Sequence, residues 1–150
     1  MNAEELQQQL TTALLQLTQP SRIEIRVWSD ADFPAIQRLS SAEGWTSPTQ
    51  RPTYSLLAWH HSWPALVAVE GEIIVGFVRG LTDGTITMYI ADMAVDMRLR
   101  GRGIGRVLLD ICHALYLTTR LDLLAADDAR AFYKACGFRL LHDGMRKSYA

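Results

Sequence analysis

The sequence has few cysteines, little net charge and no long apolar run, and each absence excludes a class of protein. The two cysteines among 150 residues, Cys112 and Cys136, are too few for a disulfide-rich secreted scaffold, and neither has a second cysteine at metal-ligand spacing. The formal net charge of −1 lacks the basic excess that a nucleic-acid-binding face usually carries. We therefore expect reduced thiols, no metal centre and no nucleic-acid partner.

Segments that would direct the chain to a membrane are also missing from the sequence. No apolar run approaches the roughly 20 residues that a membrane-spanning helix needs. The first residues lack the basic and then apolar order of a signal peptide. These features predict a cytoplasmic protein without a membrane partner. The content of 49% hydrophobic and 21% charged residues is ordinary for a globular domain with one core.

Three glycines at alternate positions, Gly101, Gly103 and Gly105, dominate the middle of the chain. The β-branched run over 85–95 predicts a strand before them, and apolar residues at helical spacing over 104–115 predict a helix after them. Such glycines leave backbone N–H groups bare, and the helix N-terminus adds unpaired donors and a positive dipole end. The stretch therefore predicts an anion site. Four arginines cluster around it: Arg98, Arg100, Arg102 and Arg106.

The spacing of the glycines excludes two common phosphate-binding loops. The dinucleotide-binding pattern Gly-x-Gly-x-x-Gly fails in both registers, because Arg106 or Leu108 stands where its third glycine is required. A P-loop is excluded because no Gly-Lys-Ser/Thr is present. The stretch instead resembles motif A of the GNAT superfamily of acetyl-CoA-dependent N-acetyltransferases, Gln/Arg-x-x-Gly-x-Gly/Ala, which can begin at Arg98 or at Arg100.

A second segment, Ala129 to Phe138, extends the resemblance. Its sequence Phe-Tyr-Lys-Ala-Cys-Gly-Phe is similar to the helix of that superfamily that ends in Phe/Leu-Tyr-x-x-x-Gly-Phe. The two motifs occur in the family's order and are separated by one strand-like run over 120–125. The resemblance implies that acetyl-CoA is the co-substrate, that no metal is needed, and that the reaction is acetyl transfer to an amine.

The resemblance and the pattern of turns imply an α+β fold. We expect an acetyltransferase domain over 21–150, preceded by an N-terminal helical extension over 1–20. The expected sheet is twisted, mixed and mostly antiparallel, with about six or seven strands flanked by helices, of which the last one or two fall within 138–149. Its two central parallel strands are expected to splay apart so that coenzyme A can enter.

The resemblance also implies which residues hold the co-substrate. Loop amides would bind the coenzyme A pyrophosphate, and the end of the preceding strand would pair with the pantetheine arm. Many relatives place an asparagine seven residues before the tyrosine of the second motif, where this chain has Ala126, and Asp128 is a candidate substitute. The predicted co-substrate residues are Met93, Ala94, Val95, Arg100, Gly101, Arg102, Gly103, Ile104, Gly105, Arg106 and Asp128.

Two side chains are candidates for catalysis. By resemblance, Tyr133 assists departure of the thiolate, and because a phenol of pKa about 10 is a weaker acid than a thiol of about 8.5, hydrogen-bond donation is better founded than proton transfer. Asp92, polar within an apolar strand segment, is a candidate base, a group that orients the cationic substrate, or a structural partner. The resemblance implies direct attack in a ternary complex, and no Gly-x-Ser-x-Gly elbow is present that would indicate a covalent acetyl-enzyme.

The acceptor amine is less well determined by the sequence. In the family, the segment between the first strand and the hairpin forms one wall of the acceptor pocket, and here it holds Trp45, Tyr54 and Trp59. Aromatic side chains there suit a small-molecule amine, although each is also a candidate core residue. The alternatives are a protein or peptide N-acetyltransferase and a non-catalytic acetyl-CoA-binding regulatory module. Because members of this superfamily often pair through sheet edges or helices, the resemblance allows a homodimer.

Overall fold

A computed structural model of the chain describes residues 1–148. The helices in this part are α1 (Ala3–Leu14), α2 (Phe33–Ala42), α3 (Ser47–Gln50), α4 (Pro52–His60), α5 (Ile104–Leu115) and α6 (Arg130–Ala135). The strands are β1 (Ile23–Val27), β2 (Ala65–Glu70), β3 (Ile73–Thr82), β4 (Thr87–Val95) and β5 (Arg120–Leu123). None of these helices is long and apolar enough to cross a membrane.

The strands form one mixed sheet in the order β1-β2-β3-β4-β5. The first four strands are antiparallel neighbours, whereas β4 and β5 run parallel. α5 provides the crossover that two parallel neighbours require. The predicted α+β class, the mixed sheet and the N-terminal helix are therefore confirmed.

The sheet has fewer strands than the six or seven expected, because residues 138–148 form no strand. Within this segment Asp143 has a φ of 68°, which takes the backbone out of the extended conformation. The expected closing strand is therefore wrong for the described residues, and its last position, Tyr149, lies outside them. As a result, β5 is the last strand of the sheet in this part of the chain.

Two clusters of buried side chains fix the helices on opposite faces of the sheet. The neighbouring residues Leu66 and Val67 of β2 belong to different clusters, as alternation along a strand requires. α5 packs in the first cluster through apolar residues at helical spacing, such as Ile104 and Leu108, which are 1% and 0% exposed. α2 packs in the second, where Ile36 is 0% exposed.

α1 packs in the first cluster, and the segment that follows α1 lies beside the glycine loop. Leu10 of α1 is 0% exposed, and Gln9 Nε2 donates to the carbonyl oxygen of Leu115 at 3.3 Å. The connection from α1 to β1 then passes beside the loop, where Pro20 Cγ lies 3.9 Å from the position that a Cβ on Gly103 would take.

Candidate active site

The parallel pairing of β4 with β5 ends halfway along β4. Its last pair is Ile90 with Leu123, but β4 continues to Val95. Over 91–95, the neighbour of β4 is β3 alone. The main-chain edge that faces away from β3 is therefore open to a ligand there, and the three predicted pantetheine residues, 93–95, lie on it.

A β-bulge lies at the point where β4 stops pairing with β5. Asp92 pairs with Arg79 of β3, whereas Ile90 pairs with the next residue, Gly80, so that Ala91 is the extra residue. A bulge bends its strand and re-aims the side chains that follow. This bend separates the two halves of β4. It lies where the two parallel strands were expected to splay apart.

The glycine loop follows β4 directly. Gly101 and Gly103 have φ values of 82° and 84°, a region that glycine reaches without the strain that a Cβ imposes. Gly103 is the N-cap of α5 and accepts the bond from Val107 N at 3.0 Å. Within the described residues, the amides of 101–106 have no backbone acceptor. They lie at the positive end of α5, as an anion site requires.

Gly105 differs from the two glycines before it, although the sequence motif groups all three. It lies inside α5, and a Cβ there would come within 2.9 Å of Phe132 Cζ and 3.6 Å of Met93 Cε. The missing side chain thus lets the Phe132 ring lie against the first turn of α5. Gly105 thereby positions the helix that also carries Tyr133.

Each of the four loop arginines has a partner in the described structure, so the predicted arginine cluster is not a set of free cations. The partners are Asp96 for Arg98 (Nη2–Oδ2 2.9 Å), Glu43 for Arg100, Glu70 for Arg102 (Nη1–Oε2 3.7 Å) and the carbonyl oxygen of Ala135 for Arg106 (from Nη1, 3.2 Å). The acidic partners offset part of the positive charge. The main-chain amides of 101–106, by contrast, have no backbone partner within the described residues.

Asp96 anchors the start of the loop and was missed among the predicted site residues. It is 9% exposed, its N–H donates to the carbonyl oxygen of Val75 at 2.8 Å, and its carboxylate accepts from the Arg98 N–H at 3.0 Å. Hydrogen bonds from the Arg98 side chain and main chain lower the pKa of Asp96 to about 2. An aspartate just after a predicted strand, able to accept an N–H two residues on, was the available signal.

Tyr133 lines a cleft of about 450 Å³ between α6, β5 and the C-terminal segment. Its ring packs edge-on against Phe132 and Phe138, with centroid separations of 5.1 and 5.6 Å. The Tyr133 hydroxyl has no hydrogen-bond partner in residues 1–148. Burial raises the pKa of Tyr133, which keeps the phenol protonated and able to donate a hydrogen bond to a ligand.

Asp92 lies in an ion pair across the bulge. Its Oδ2 accepts from Arg79 Nε at 2.6 Å, and Arg79 Nη1 donates to Ser62 Oγ at 3.1 Å. Because the carboxylate is held by Arg79, which is itself bonded to Ser62, this contact supports the structural alternative raised by the sequence. The side chain is still 37% exposed, and its role as a base stays a prediction.

The three predicted acceptor aromatics do not form one pocket. Trp59 is 3% exposed and its ring centroid lies 5.2 Å from that of Trp28 and 5.5 Å from that of Phe77. Its predicted place in the pocket is therefore wrong, because the second core cluster encloses it. Trp45 and Tyr54 are at the surface, 40% and 69% exposed.

Three further residues bear on the chemistry. Asp128 is exposed and makes no hydrogen bond or ion pair within the described part of the chain. Burial raises the thiol pKa of Cys112 and of Cys136. Both thiols therefore stay protonated at neutral pH, which argues against a covalent acetyl-enzyme.

Comparison with known proteins identifies the class. Residues 60–140, more than half of the chain, match the family model of the acetyltransferase (GNAT) domain. The chain therefore belongs to the GNAT family of acetyltransferases, and it is an acyltransferase. This agrees with the resemblance drawn from the two sequence motifs. No curated protein sequence matches the chain at a significant level.

Solved structures share the fold. Ard1 from Thermoplasma volcanium is 29% identical, with a TM-score of 0.67 over 80% of this chain and 84% of that one. A GNAT-family acetyltransferase from Streptococcus pneumoniae is 22% identical, with a TM-score of 0.65 over 85% and 96%. An aminoglycoside acetyltransferase from an uncultured soil metagenomic sample, solved with trehalose, is 23% identical, with a TM-score of 0.65 over 86% and 96%. At these identities, the last two comparisons show a shared fold and nothing further.

Proposed function

We propose that this protein transfers the acetyl group of acetyl-CoA to a primary amine of a small molecule, by direct attack within a ternary complex. The observation that carries the proposal is the release of β4 from β5 over 91–95, immediately before a glycine loop whose amides lack backbone partners. A ligand that carries both a diphosphate and amide groups needs two main-chain features. These are an anion-binding helix N-terminus and an open strand edge.

The loop and the strand edge fit coenzyme A. A Cβ on Gly101 would meet nothing within 4 Å, so the backbone is bare on that side and a diphosphate can approach its amides. The edge at 91–95 can pair with the amides of a pantetheine arm, as an added strand pairs with a sheet. When bound, acetyl-CoA supplies the activated acetyl group. The protein holds it through Met93 to Val95 and the amides of 101–106.

Tyr133 is the proposed hydrogen-bond donor to the sulfur. Its phenol is kept protonated by burial and has no protein partner among the described residues. A donor that is already aimed at the site of developing charge lowers the barrier without reorganisation at the moment of reaction. This role requires only donation of a hydrogen bond, so the raised pKa of the phenol does not oppose it.

The acceptor must reach its neutral form before it attacks. An aliphatic amine with a pKa of about 10.4 is neutral at pH 7 in only about one molecule in a few thousand. Asp92, directly before Met93, is our candidate for orienting or deprotonating the ammonium group. Its Oδ1 makes no hydrogen bond in the described residues, since Oδ2 is the atom held by Arg79.

The size of the Tyr133 cleft supports a small acceptor. Its volume of about 450 Å³ is within the range of about 300–1,000 Å³ that is typical of small-molecule sites. Tyr89 and Asp122 also line it and offer polar contacts to an amine. A protein or peptide acceptor is the second candidate, favoured by the exposure of Trp45 and Tyr54, because exposed aromatic residues are typical anchors for a chain.

Thiol release from acetyl-CoA, measured across a panel of small amines and of peptides with free N-termini, tests the proposal. We expect release with at least one small amine. Release with peptides alone would assign the second candidate. Tight coenzyme A binding without release for any acceptor would contradict both and would indicate a non-catalytic acetyl-CoA-binding regulatory module.

A further inference from the structure

A turn from outside the family-matched region lies against the glycine loop. Residues 15–22 connect α1 to β1, and this connection ends in a turn over 20–23, in which the Ile23 N–H donates to the carbonyl oxygen of Pro20 at 3.2 Å. Pro20 Cγ comes within 3.9 Å of the position that a Cβ on Gly103 would take. The turn therefore forms a wall beside the N-terminus of α5.

Strand pairing places Arg22 at the rim of the same site. Ile23 stands opposite Glu70 in the ladder between β1 and β2, and Glu70 Oε2 lies 3.7 Å from Nη1 of the loop residue Arg102. Arg22 immediately precedes Ile23 and is exposed. The turn, the end of β2 and the loop thus meet in one place, and Arg22 is an exposed residue of that turn.

Arg22 differs from the loop arginines in two respects. It makes no hydrogen bond or ion pair within residues 1–148, whereas the four loop arginines all have partners. Its φ is 65°, a conformation that is uncommon for a residue other than glycine, asparagine or aspartate. An arginine where glycine or asparagine would fit the backbone better indicates a role for the guanidinium itself.

We propose that Arg22 binds the 3′-phosphate of coenzyme A. The inference rests on the proposed function, since it requires coenzyme A as the ligand. The loop amides can hold the diphosphate, but the phosphomonoester on the ribose adds a further charge of about −1.5 to −2 at neutral pH. Arg22 offers that group a guanidinium that no carboxylate of residues 1–148 neutralises, and a guanidinium can bind a phosphate through two parallel hydrogen bonds. Arg106 also has no carboxylate partner in that part of the chain, but its guanidinium donates to the carbonyl oxygen of Ala135 at the end of α6. Arg22, by contrast, belongs to the turn whose Pro20 lies beside Gly103.

Calorimetric titration of the full chain with coenzyme A and with 3′-dephospho-coenzyme A, at one ionic strength, tests this assignment. Arg22→Asn removes the charge and keeps a residue that tolerates the φ of the turn, so the unfolding midpoint should not fall. We expect its affinity for coenzyme A to be about fivefold weaker, as for an exposed charge pair, and its affinity for the dephospho ligand to be unchanged within about twofold. Arg22→Lys should retain part of the difference.

The outcomes separate this inference from the proposed function. Equal weakening for both ligands would place Arg22 on the diphosphate and overturn the assignment. No weakening for either would overturn it as well, while wild-type binding would still support the proposed function. A wild-type protein that binds neither ligand would overturn both. The control is Arg120→Gln, which removes one charge at the other end of β4, opposite Thr87, and a comparable loss there would also contradict the assignment.

Discussion

The two halves of β4 belong to one strand but have different neighbours. Residues 88–90 pair with β3 on one side and with β5 on the other, whereas 92–95 pair with β3 alone and Ala91 is the extra residue of the bulge. Side-chain burial does not distinguish the halves, since Met88 in the first and Ala94 in the second are 0% and 5% exposed. What distinguishes them is whether the main chain has partners on both sides. Both halves contribute side chains to the core, but only the second retains main-chain groups for a ligand.

The largest expected effect tests the structural half of β4. Met88→Ala should lower the free energy of unfolding by about 3 kcal/mol, because it empties a fully buried site. The affinity of the folded protein for coenzyme A should stay within about twofold of wild type. Urea unfolding and calorimetry measure the two quantities. A large loss of affinity in the folded variant would contradict the division of β4 into a structural half and a ligand-binding half.

The next effect tests the loop that follows the second half. Gly103→Val should weaken coenzyme A binding by about thirtyfold, because a β-branched residue resists a φ of 84° and the amides would turn away from the diphosphate. The matched control is Gly84→Val, which imposes similar strain at a φ of 75° in the turn between β3 and β4. It should lower stability but not affinity in calorimetric titration. If Gly103→Val bound normally, the loop would not be the diphosphate site.

Tyr133→Phe removes the proposed hydrogen-bond donor to the sulfur and so tests the chemistry beside the ligand-binding half of β4. Turnover should fall about tenfold or more, with little change in acetyl-CoA binding, as expected for a contact that strengthens in the transition state. Steady-state kinetics give both values. Tyr116→Phe is the control, because its hydroxyl accepts from Trp63 Nε1 at 3.2 Å in the structural network under α1, and turnover should be unaffected. Equal turnover in wild type and Tyr133→Phe would remove the donor role.

The smallest effect concerns Asp96, which fixes the loop to the end of β4. Its pKa of about 2 is below the value of about 3.9 for an unfolded chain, so its ionised form stabilises the fold above about pH 4 and loses this effect as the pH falls towards 2. The stability difference between wild type and Asp96→Asn should therefore narrow by about 1 kcal/mol over that interval. Urea unfolding at several pH values measures it, and a constant difference would contradict the Arg98 contact.

The predictable parts of the fold were those encoded by residues close in sequence. Glycine spacing marked the loop, and apolar residues at helical spacing marked α5, so the crossover to a parallel β5 followed from the handedness of such connections. The closing strand failed because residues 138–148 form no strand, and a turn at Asp143, with its positive φ, interrupts any extended course there. That turn depends on a single φ value, which the apolar and polar pattern of 138–148 does not encode.

The less predictable parts of the site depend on contacts between distant segments. Arg100 is paired with Glu43, 57 residues earlier, so a charge count around the loop overestimates its free positive charge. Trp59 lies on α4, where apolar residues such as Leu56 and Leu57 occur on more than one side. No helical period therefore indicated which aromatic residue faces the core.

A crystal structure of the protein with coenzyme A tests the central claim most directly. We predict diphosphate oxygens about 3 Å from the amides of 101–105, the pantetheine arm along 91–95 of β4, and the sulfur beside the Tyr133 hydroxyl. A diphosphate bound away from the glycine loop, or a sulfur out of reach of Tyr133, would contradict the account.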